Sequence, residues 1–141
     1  MYFGNKEKYV KDGRVEDVLS LLQVLALDSA SHRSEGGLKT ELSSDPSSAE
    51  SWLKMAKEHP EFFRVAEGKG HSISLVARHV SKESGEKRLP LTAEQTQALL
   101  NTAIELHDRQ IRRSQRWTVL IPIWVAVISG VFILTKTFIA G

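Results

Sequence analysis

The sequence contains no cysteine, which excludes disulfide bonds and thiolate metal sites and is compatible with a reducing compartment. It also has no glycine-rich phosphate loop, no nucleophile elbow and no metalloprotease motif. The five histidines are scattered, and no two of them stand three or four residues apart as a helical metal site requires. We therefore expect no enzymatic activity, no metal, no cofactor and no small-molecule substrate.

The chain has little net charge. It carries 19 Lys and Arg residues against 17 Asp and Glu residues, a formal net charge of +2. Because Lys136 is the only charged residue after Arg116, the first 116 residues, termed the head below, are close to neutral. Composition therefore gives no sign of the strongly basic surface that is typical of nucleic-acid-binding proteins.

One long apolar segment is present at the carboxyl end. Residues 117–134, WTVLIPIWVAVISGVFIL, carry no charged side chain, and apolar residues resume after Lys136. A helix rises about 1.5 Å per residue and needs about 20 apolar residues to cross about 30 Å of hydrocarbon. The segment therefore predicts a transmembrane helix over 117–140. The alternative, a helix buried in a soluble core, would need far more surrounding chain.

The charges around this apolar segment predict its orientation. Four arginines precede it, whereas only Lys136 lies near its far end. The positive-inside rule then places the head in the cytoplasm and the carboxyl terminus outside. The amino-terminal tail, residues 1–12, has no apolar stretch that could act as a secretory signal. We therefore predict a single-pass protein of the cytoplasmic (inner) membrane.

Individual residues of the apolar segment are expected to shape its membrane contacts. Trp117 fits the headgroup belt, where its ring is buried and its N–H stays hydrated. Trp124 lies about 10 Å deeper and is expected to pack against Pro122, another helix or lipid tails. Pro122 removes one backbone amide and can bend the helix. Gly130, four residues after Ala126, would let two spans approach closely in a homo-oligomer.

Hydrophobic periodicity predicts helices in the first half of the head. Apolar residues recur three and four positions apart over 13–27, which predicts a helix, and 38–42 could add one or two helical turns. Ser47 and Glu50 match a capping box, in which the serine hydroxyl accepts from an amide three residues on. This pair predicts a further helix over 48–59.

The second half of the head begins with a change of period. Residues 61–67 and 71–80 are rich in β-branched and aromatic residues and flank a glycine-containing turn, which predicts a β-hairpin. Residues 81–89 are predicted to form a loop. Helical periodicity returns over 90–116, and no breaker separates this connecting helix from the apolar segment.

The connecting helix has a strong start signal. Thr92 and Gln95 form a second capping-box match. We expect the helix to run directly into the membrane span as one unit. The expected fold class is therefore mainly α with a small β-hairpin (α+β), ending in a long helix that becomes a single transmembrane helix.

The order of these elements resembles the winged helix-turn-helix fold over residues 13–80. In that fold a helix, a short helix and a further helix are followed by a two-stranded hairpin. The resemblance implies a recognition helix at 48–58 and a wing formed by 64–78, with 90–116 as an added helix. The whole layout also resembles small single-pass bacterial membrane proteins of unassigned function, and that likeness implies no catalytic residues.

The predicted recognition helix is a poor match to a helix that reads DNA. Its lysines are set against Glu50 and Glu58, so the helix is electrically neutral. The candidate contacts to a phosphate backbone are few: Lys54, Lys57, Lys69 and Arg78. Winged helices also serve as protein-docking modules, and a neutral surface favours that use.

Four arginines form a stripe just before the apolar segment. They stand at i, i+3, i+4 and i+7, so a continuous helix gathers them on one side: Arg109, Arg112, Arg113 and Arg116. This arginine stripe could contact anionic lipid headgroups, at about 1 kcal/mol per charge, or an acidic partner. Alternatively, the arginines only determine the orientation of the span.

Together these features favour a membrane-anchored cytoplasmic module that docks a protein partner and has no enzymatic activity. The first alternative is a membrane-bound DNA-binding regulator that uses the four phosphate contacts named above. The second alternative is a small structural subunit of a larger membrane complex. The expected partners are membrane lipid and either a second protein or another copy of this chain.

Overall fold

The head combines short helices with a small antiparallel sheet and the first half of one long helix, which continues to the carboxyl end. The computed structural model describes residues 8–68, 70–80 and 88–141, except for the side chain of Trp117. The prediction of a mainly helical α+β protein is confirmed. In chain order the elements are α1 (Arg14–Leu27), β1 (His32–Ser34), α2 (Glu35–Leu42), α3 (Trp52–Glu58), β2 (Phe63–Ala66), β3 (Ser72–Leu75), α4 (Val76–Val80) and α5 (Ala93–Ala140).

Local signals determine where α1 and α5 begin, and both helices are confirmed. Gly13 precedes α1 with φ of 72°, and a Cβ at this position would lie 2.2 Å from Ser47 Oγ. Thr92 Oγ1 accepts from the N–H of Gln95 at 3.2 Å, and Gln95 Oε1 accepts from the N–H of Thr92 at 3.1 Å. The second capping box therefore forms as predicted. From it α5 continues for 48 residues, with Pro122 inside the helix.

The start of α3 differs from the prediction. The expected capping box of Ser47 and Glu50 is wrong, because the N–H and Oγ of Ser47 donate to Asp17 of α1 at 3.1 and 3.3 Å. Instead α3 begins after Ser51, whose Oγ accepts from the N–H of Lys54 at 3.1 Å. The predicted recognition helix is therefore shorter than expected.

A carboxylate from α2 completes the amino-terminal cap of α3. Glu35 Oε1 accepts from the N–H of Trp52 at 3.0 Å, and its Oε2 accepts from the N–H of Leu53 at 2.7 Å. The first four N–H groups of a helix have no partner within the helix, and a negative charge also favours that end. A tertiary contact thus decides where α3 starts.

The sheet has three strands where the sequence predicts two. β2 and β3 pair antiparallel with Val65 opposite Ile73, so the hairpin is confirmed at its centre. β1 pairs antiparallel with the other edge of β3, with Arg33 opposite Ile73, and the strand order is β1-β3-β2. The sequence of β1 has no alternating apolar pattern, so its strand depends on the edge that β3 offers.

The chain turns into α4 after β3, where the hairpin prediction expects a longer strand. Arg78 of α4 lies in the core and is 1% exposed. Its Nη1 donates to the carbonyl oxygens of Leu25, Asp28 and Ala30 at 2.9 Å each, and its Nη2 donates to that of Arg88 at 2.7 Å. Because the last carbonyls of a helix lack helical partners, Arg78 caps the carboxyl end of α1.

The apolar core lies between α1, α3 and the sheet, and α5 packs against α1. Ala103 of α5 is fully buried, and a small side chain at this position allows two helices to approach closely. The N–H of Leu91 donates to the carbonyl of Ala26 at 2.9 Å and joins the start of α5 to the end of α1. The largest buried apolar side chains are Leu21, Leu22, Leu25, Leu38, Trp52, Met55, Ile73 and Leu75.

Candidate functional site

The outer face of α3 carries charges of both signs. Lys54 Nζ lies 2.9 Å from Glu50 Oε1, and Lys57 Nζ lies 3.3 Å from Glu67 Oε1 beside the hairpin. We define the recognition face by these four side chains. Each lysine has a carboxylate beside it, so a phosphate backbone approaching this face would meet negative charge as well as positive charge.

The other two predicted nucleic-acid contacts are not part of the recognition face. Arg78 needs a correction: its guanidinium is buried and donates to backbone carbonyls, so it is not accessible to a phosphate. The prediction placed Arg78 on an exposed wing because it extended the strand through residue 80. Lys69 lies outside the described residues.

A polar cluster with a buried centre joins residues 8–13, termed the amino-terminal segment, to α1 and the end of α3. It comprises Tyr9, Arg14, Glu58, His59 and Glu61, and is termed the His59 cluster. His59 is 0% exposed, with Nδ1 3.1 Å from Glu61 Oε1 and Nε2 3.4 Å from Arg14 Nη1. Arg14 Nη1 also donates to Glu58 Oε2 at 2.5 Å. The Tyr9 hydroxyl donates to Glu61 Oε1, and its ring meets the imidazole edge-on at 4.7 Å.

Burial and hydrogen bonding hold Tyr9, His59 and Glu61 of the His59 cluster each in one protonation state near pH 7. Burial lowers the pKa of His59, although the Glu61 carboxylate acts in the opposite direction. Burial acts to raise the pKa of Glu61, but hydrogen bonds from His59, Lys8 and Tyr9 outweigh it and lower the pKa to about 2. Burial and the Glu61 carboxylate together raise the pKa of Tyr9. The imidazole is therefore neutral beside an anionic carboxylate, with Nδ1–H donating to Glu61.

The His59 cluster has the residue types of an acid–base site but not its geometry. A general base must reach a proton of the substrate, whereas His59 is completely buried and both ring nitrogens face protein groups. The arrangement instead fastens the amino-terminal segment to the end of α3. Sequence reasoning missed this cluster because no local pattern marks Tyr9 and Glu61, 52 positions apart, as neighbours.

The arginine stripe is exposed along α5. Arg109 Nη2 donates to Glu105 Oε1 one turn earlier at 2.5 Å, and Arg112 Nε donates to the carbonyl of Asp108 at 3.4 Å. Ion pairs of this exposed kind contribute about 0.3–0.5 kcal/mol each. The guanidiniums therefore remain available to a ligand or a surface at all four positions: Arg109, Arg112, Arg113 and Arg116.

A groove of about 260 Å³ lies between the amino-terminal segment and α5. The N–H of Tyr9 donates to Gln110 Oε1 at 2.7 Å and holds the two walls together. The structure divides the arginine stripe, because Arg112 and Arg116 are not among the residues that line this groove. The lining residues, which define the Tyr9–Arg113 groove, are Tyr9, Leu106, Arg109, Gln110 and Arg113.

The carboxyl-terminal part of α5 is long and apolar enough to cross a membrane. Residues 118–140 are exposed throughout, and Trp124 is 64% exposed. Pro122 lies within the helix, and a Cβ added at Gly130 would have open space around it. A helix that is apolar on all sides needs an apolar environment, which hydrocarbon provides.

These elements define an α+β protein with a three-stranded antiparallel sheet and a long carboxyl-terminal helix, an arrangement compatible with a winged-helix-like fold. No family model, no curated protein and no solved structure matches the chain. Among the described residues, no group of three or more His, Asp or Glu side chains is placed to hold a metal ion. Function is therefore inferred from the surfaces of the molecule itself.

Proposed function

We propose that this protein is a membrane-anchored adaptor without enzymatic activity. Its winged-helix-like head docks a protein partner in the cytoplasm, and α5 holds the head at the inner membrane with the carboxyl terminus outside. The observation that carries this proposal is the continuity of α5. The helix begins at the capping box, packs on α1 through Ala103 and continues through the apolar residues to Ala140.

A continuous helix determines where the head is held. The 48 residues of α5 span about 72 Å at 1.5 Å per residue, which is more than a bilayer core requires. A flexible linker would let the head sample a large volume, whereas a helix keeps it at a defined height. Anchoring also raises the effective concentration of the head for any partner at the same membrane.

The recognition face supports a protein partner over a nucleic acid. Lys54 and Lys57 each lie beside a carboxylate, so the face presents alternating charge. Complementary charges on another protein can match such a pattern and provide specificity. A DNA backbone presents only negative charge and would gain little from it.

Purification of the full-length protein from native membranes in mild detergent tests this proposal. We expect the wild-type chain to retain a partner protein. The amount of this partner that co-purifies should fall about tenfold with Lys54→Glu/Lys57→Glu, because the new negative charges would repel the partner's complementary negative charges. The single variant Lys54→Glu should give a smaller decrease in the same direction, and Lys39→Glu is its matched control, since Lys39 on α2 is 47% exposed against 51% for Lys54 and is paired with Asp45 at 2.8 Å. If the recognition-face variants and Lys39→Glu retained the same amount of the partner, docking through the recognition face would be contradicted.

The same preparations separate the two alternative functions. A DNA-binding regulator would shift DNA in a mobility assay at low salt, and the Lys54→Glu/Lys57→Glu variant would weaken that shift. An adaptor produces no salt-dependent shift. A structural subunit would co-purify in fixed stoichiometry with a large complex and would not respond to changes on the recognition face.

A further inference from the structure

The Tyr9–Arg113 groove brings two arginines together at the end of the head that is nearest the apolar segment. Arg113 lies four residues before Trp117, or about 6 Å along the helix. Arg109 lies eight residues before Trp117, or about 12 Å along the helix. The headgroup layer of a bilayer extends roughly 5–8 Å beyond the hydrocarbon. With the hydrocarbon beginning at Trp117, the backbone of Arg113 lies within the headgroup layer, and the backbone of Arg109 lies about 4–7 Å beyond its outer edge, within reach of a phosphate that projects from the layer.

The chemistry of the groove fits a phosphate group. A guanidinium has five N–H donors in a planar fork, which matches the oxygens of a phosphate. Arg109 uses one of its donors for Glu105, a contact that also orients the side chain. Within the described part of the chain, Arg113 has no carboxylate at ion-pair distance, so its charge is not compensated there.

The second wall makes the groove a preformed pocket and not only one side of a helix. Tyr9 is 3% exposed and is held by its N–H bond to Gln110 and its hydroxyl bond to Glu61. Leu106 contributes an apolar surface beside the arginines. A volume of about 260 Å³ lies just below the usual range for pockets that hold a whole small-molecule ligand, about 300–1,000 Å³, so the groove has room for a phosphate group but not for a larger ligand.

We propose that the Tyr9–Arg113 groove binds the phosphate headgroup of one anionic phospholipid through Arg109 and Arg113. The site rests on the membrane placement of α5 in the proposed function, but it does not depend on a protein partner. The lipid would stabilise the position of the head relative to the bilayer, because both arginines belong to the part of α5 that packs beside Tyr9 and leads into the apolar segment.

Native mass spectrometry of the full-length protein in detergent micelles tests the site, with phosphatidylglycerol added as the anionic lipid and phosphatidylcholine as the neutral one. The wild-type chain is expected to retain one phosphatidylglycerol in preference to phosphatidylcholine. Arg109→Gln/Arg113→Gln should weaken that binding about tenfold. The matched variant Arg112→Gln/Arg116→Gln removes the same charge from the same helix outside the groove, and it should weaken binding by no more than about twofold.

A charge-conserving variant and a competing anion distinguish a lipid site from a misfolded head and from a soluble anion site. Arg109→Lys/Arg113→Lys keeps the charge and should retain part of the binding, which distinguishes a lost ligand contact from misfolding. Equal weakening by the groove pair and the matched pair, or no preference for phosphatidylglycerol, would overturn the proposal. Displacement of the lipid by micromolar inorganic phosphate would also overturn it and indicate a soluble anion site. Extraction of the wild-type chain from membranes by alkaline carbonate would instead refute the anchor itself.

Discussion

At the residue scale, Arg78 shows how burial changes the role of a charged side chain. Its guanidinium donates to four carbonyl oxygens from the end of α1, the following turn and the segment before α5. The bond to Leu25 is buried and the other three are partly buried, so these acceptors have little or no access to water in place of the guanidinium. Arg78 therefore joins the end of α1 and the turn after it to the segment that precedes α5, about 60 residues later in the chain.

We predict that Arg78→Met lowers the free energy of unfolding by about 2–4 kcal/mol, because it leaves one buried and three partly buried carbonyl oxygens without their donor. Urea unfolding of the full-length protein in detergent, followed by near-ultraviolet circular dichroism, measures this change. Arg64→Met is the control, since Arg64 of β2 is exposed and its loss should cost less than about 0.5 kcal/mol. Equal effects of the two substitutions would refute the capping role of Arg78.

The His59 cluster predicts how stability depends on pH. The folded pKa of Glu61, about 2, lies below its ordinary value of 4.5, so its contribution is complete above about pH 4.5 and is lost as pH falls toward 2. The pKa of His59 is also lowered in the folded state, so its contribution is complete above about pH 6.5 and is lost at lower pH. Both groups make the folded head less stable in acid.

We predict that Glu61→Gln lowers the free energy of unfolding at pH 7 by about 1–2 kcal/mol and flattens its decrease between pH 4.5 and 2. This expected loss of stability is smaller than the pKa difference of Glu61 implies, because the Glu61 side chain is 29% exposed and solvent screens its charge. Urea unfolding across this pH range is the measurement, with Glu94→Gln on the exposed first turn of α5 as control. An unchanged pH profile would show that Glu61 is not the responsible group.

At the element scale, α3 is a seven-residue helix whose start depends on other elements. Helices this short are unstable alone, so their ends depend strongly on capping. Two acceptors supply the cap, namely Ser51 Oγ and the carboxylate of Glu35 on α2. Glu50, which the sequence assigns to a capping box, instead pairs with Lys54 on the surface.

We predict that Ser51→Ala lowers the free energy of unfolding by about 1 kcal/mol, because the N–H of Lys54 loses its acceptor. Glu50→Gln should cost no more than about 0.5 kcal/mol, since it removes only an exposed ion pair. Urea unfolding of the two variants in the same buffer compares the cap at Ser51 with the predicted capping box that includes Glu50. If Glu50→Gln lowered the free energy of unfolding more than Ser51→Ala, the result would favour the predicted capping box of Ser47 and Glu50 over the cap at Ser51.

Elements with strong local signals were predictable, and elements that depend on partners were not. The start of α5 follows from Thr92 and Gln95, which are three residues apart and satisfy each other. In contrast, β1 forms on the free edge of β3, and α4 replaces the end of the predicted strand where Arg78 enters the core. Periodicity and capping residues can be recognised in a local stretch of sequence. The free edge of β3 and the carbonyl oxygens that receive Arg78 come from other segments of the chain, so a local pattern does not reveal them.

At the scale of the whole molecule, the head and the apolar segment are joined by one helix. α5 packs on α1 in its first half and is exposed in its second half. Among the described residues, the hydrogen bond between Tyr9 and Gln110 ties the amino-terminal segment to α5 about 10 Å before Trp117. In the proposed arrangement the head therefore lies close to the membrane surface.

The absence of cysteine allows a direct test of the proposed orientation. We predict that a membrane-impermeant maleimide labels Gly141→Cys in right-side-out membrane vesicles and labels Ser44→Cys only after the vesicles are permeabilised. The physical reason is the excess of arginine before the span, which is retained in the cytoplasm. Inside-out vesicles should give the opposite labelling and serve as the control. Labelling of Ser44→Cys in intact right-side-out vesicles would reverse the assigned topology.

The sequence by itself determined the features that depend on short-range order: α1, the capped start of α5, the centre of the hairpin and the uninterrupted apolar helix. Only the tertiary structure decided the strand β1, the start of α3, the burial of Arg78, the His59 cluster and the division of the arginine stripe. Each of these depends on contacts between distant positions, such as Asp17 with Ser47, 30 residues apart, and Tyr9 with Gln110, 101 residues apart. Such contacts arise only when the folded chain brings a donor and an acceptor together.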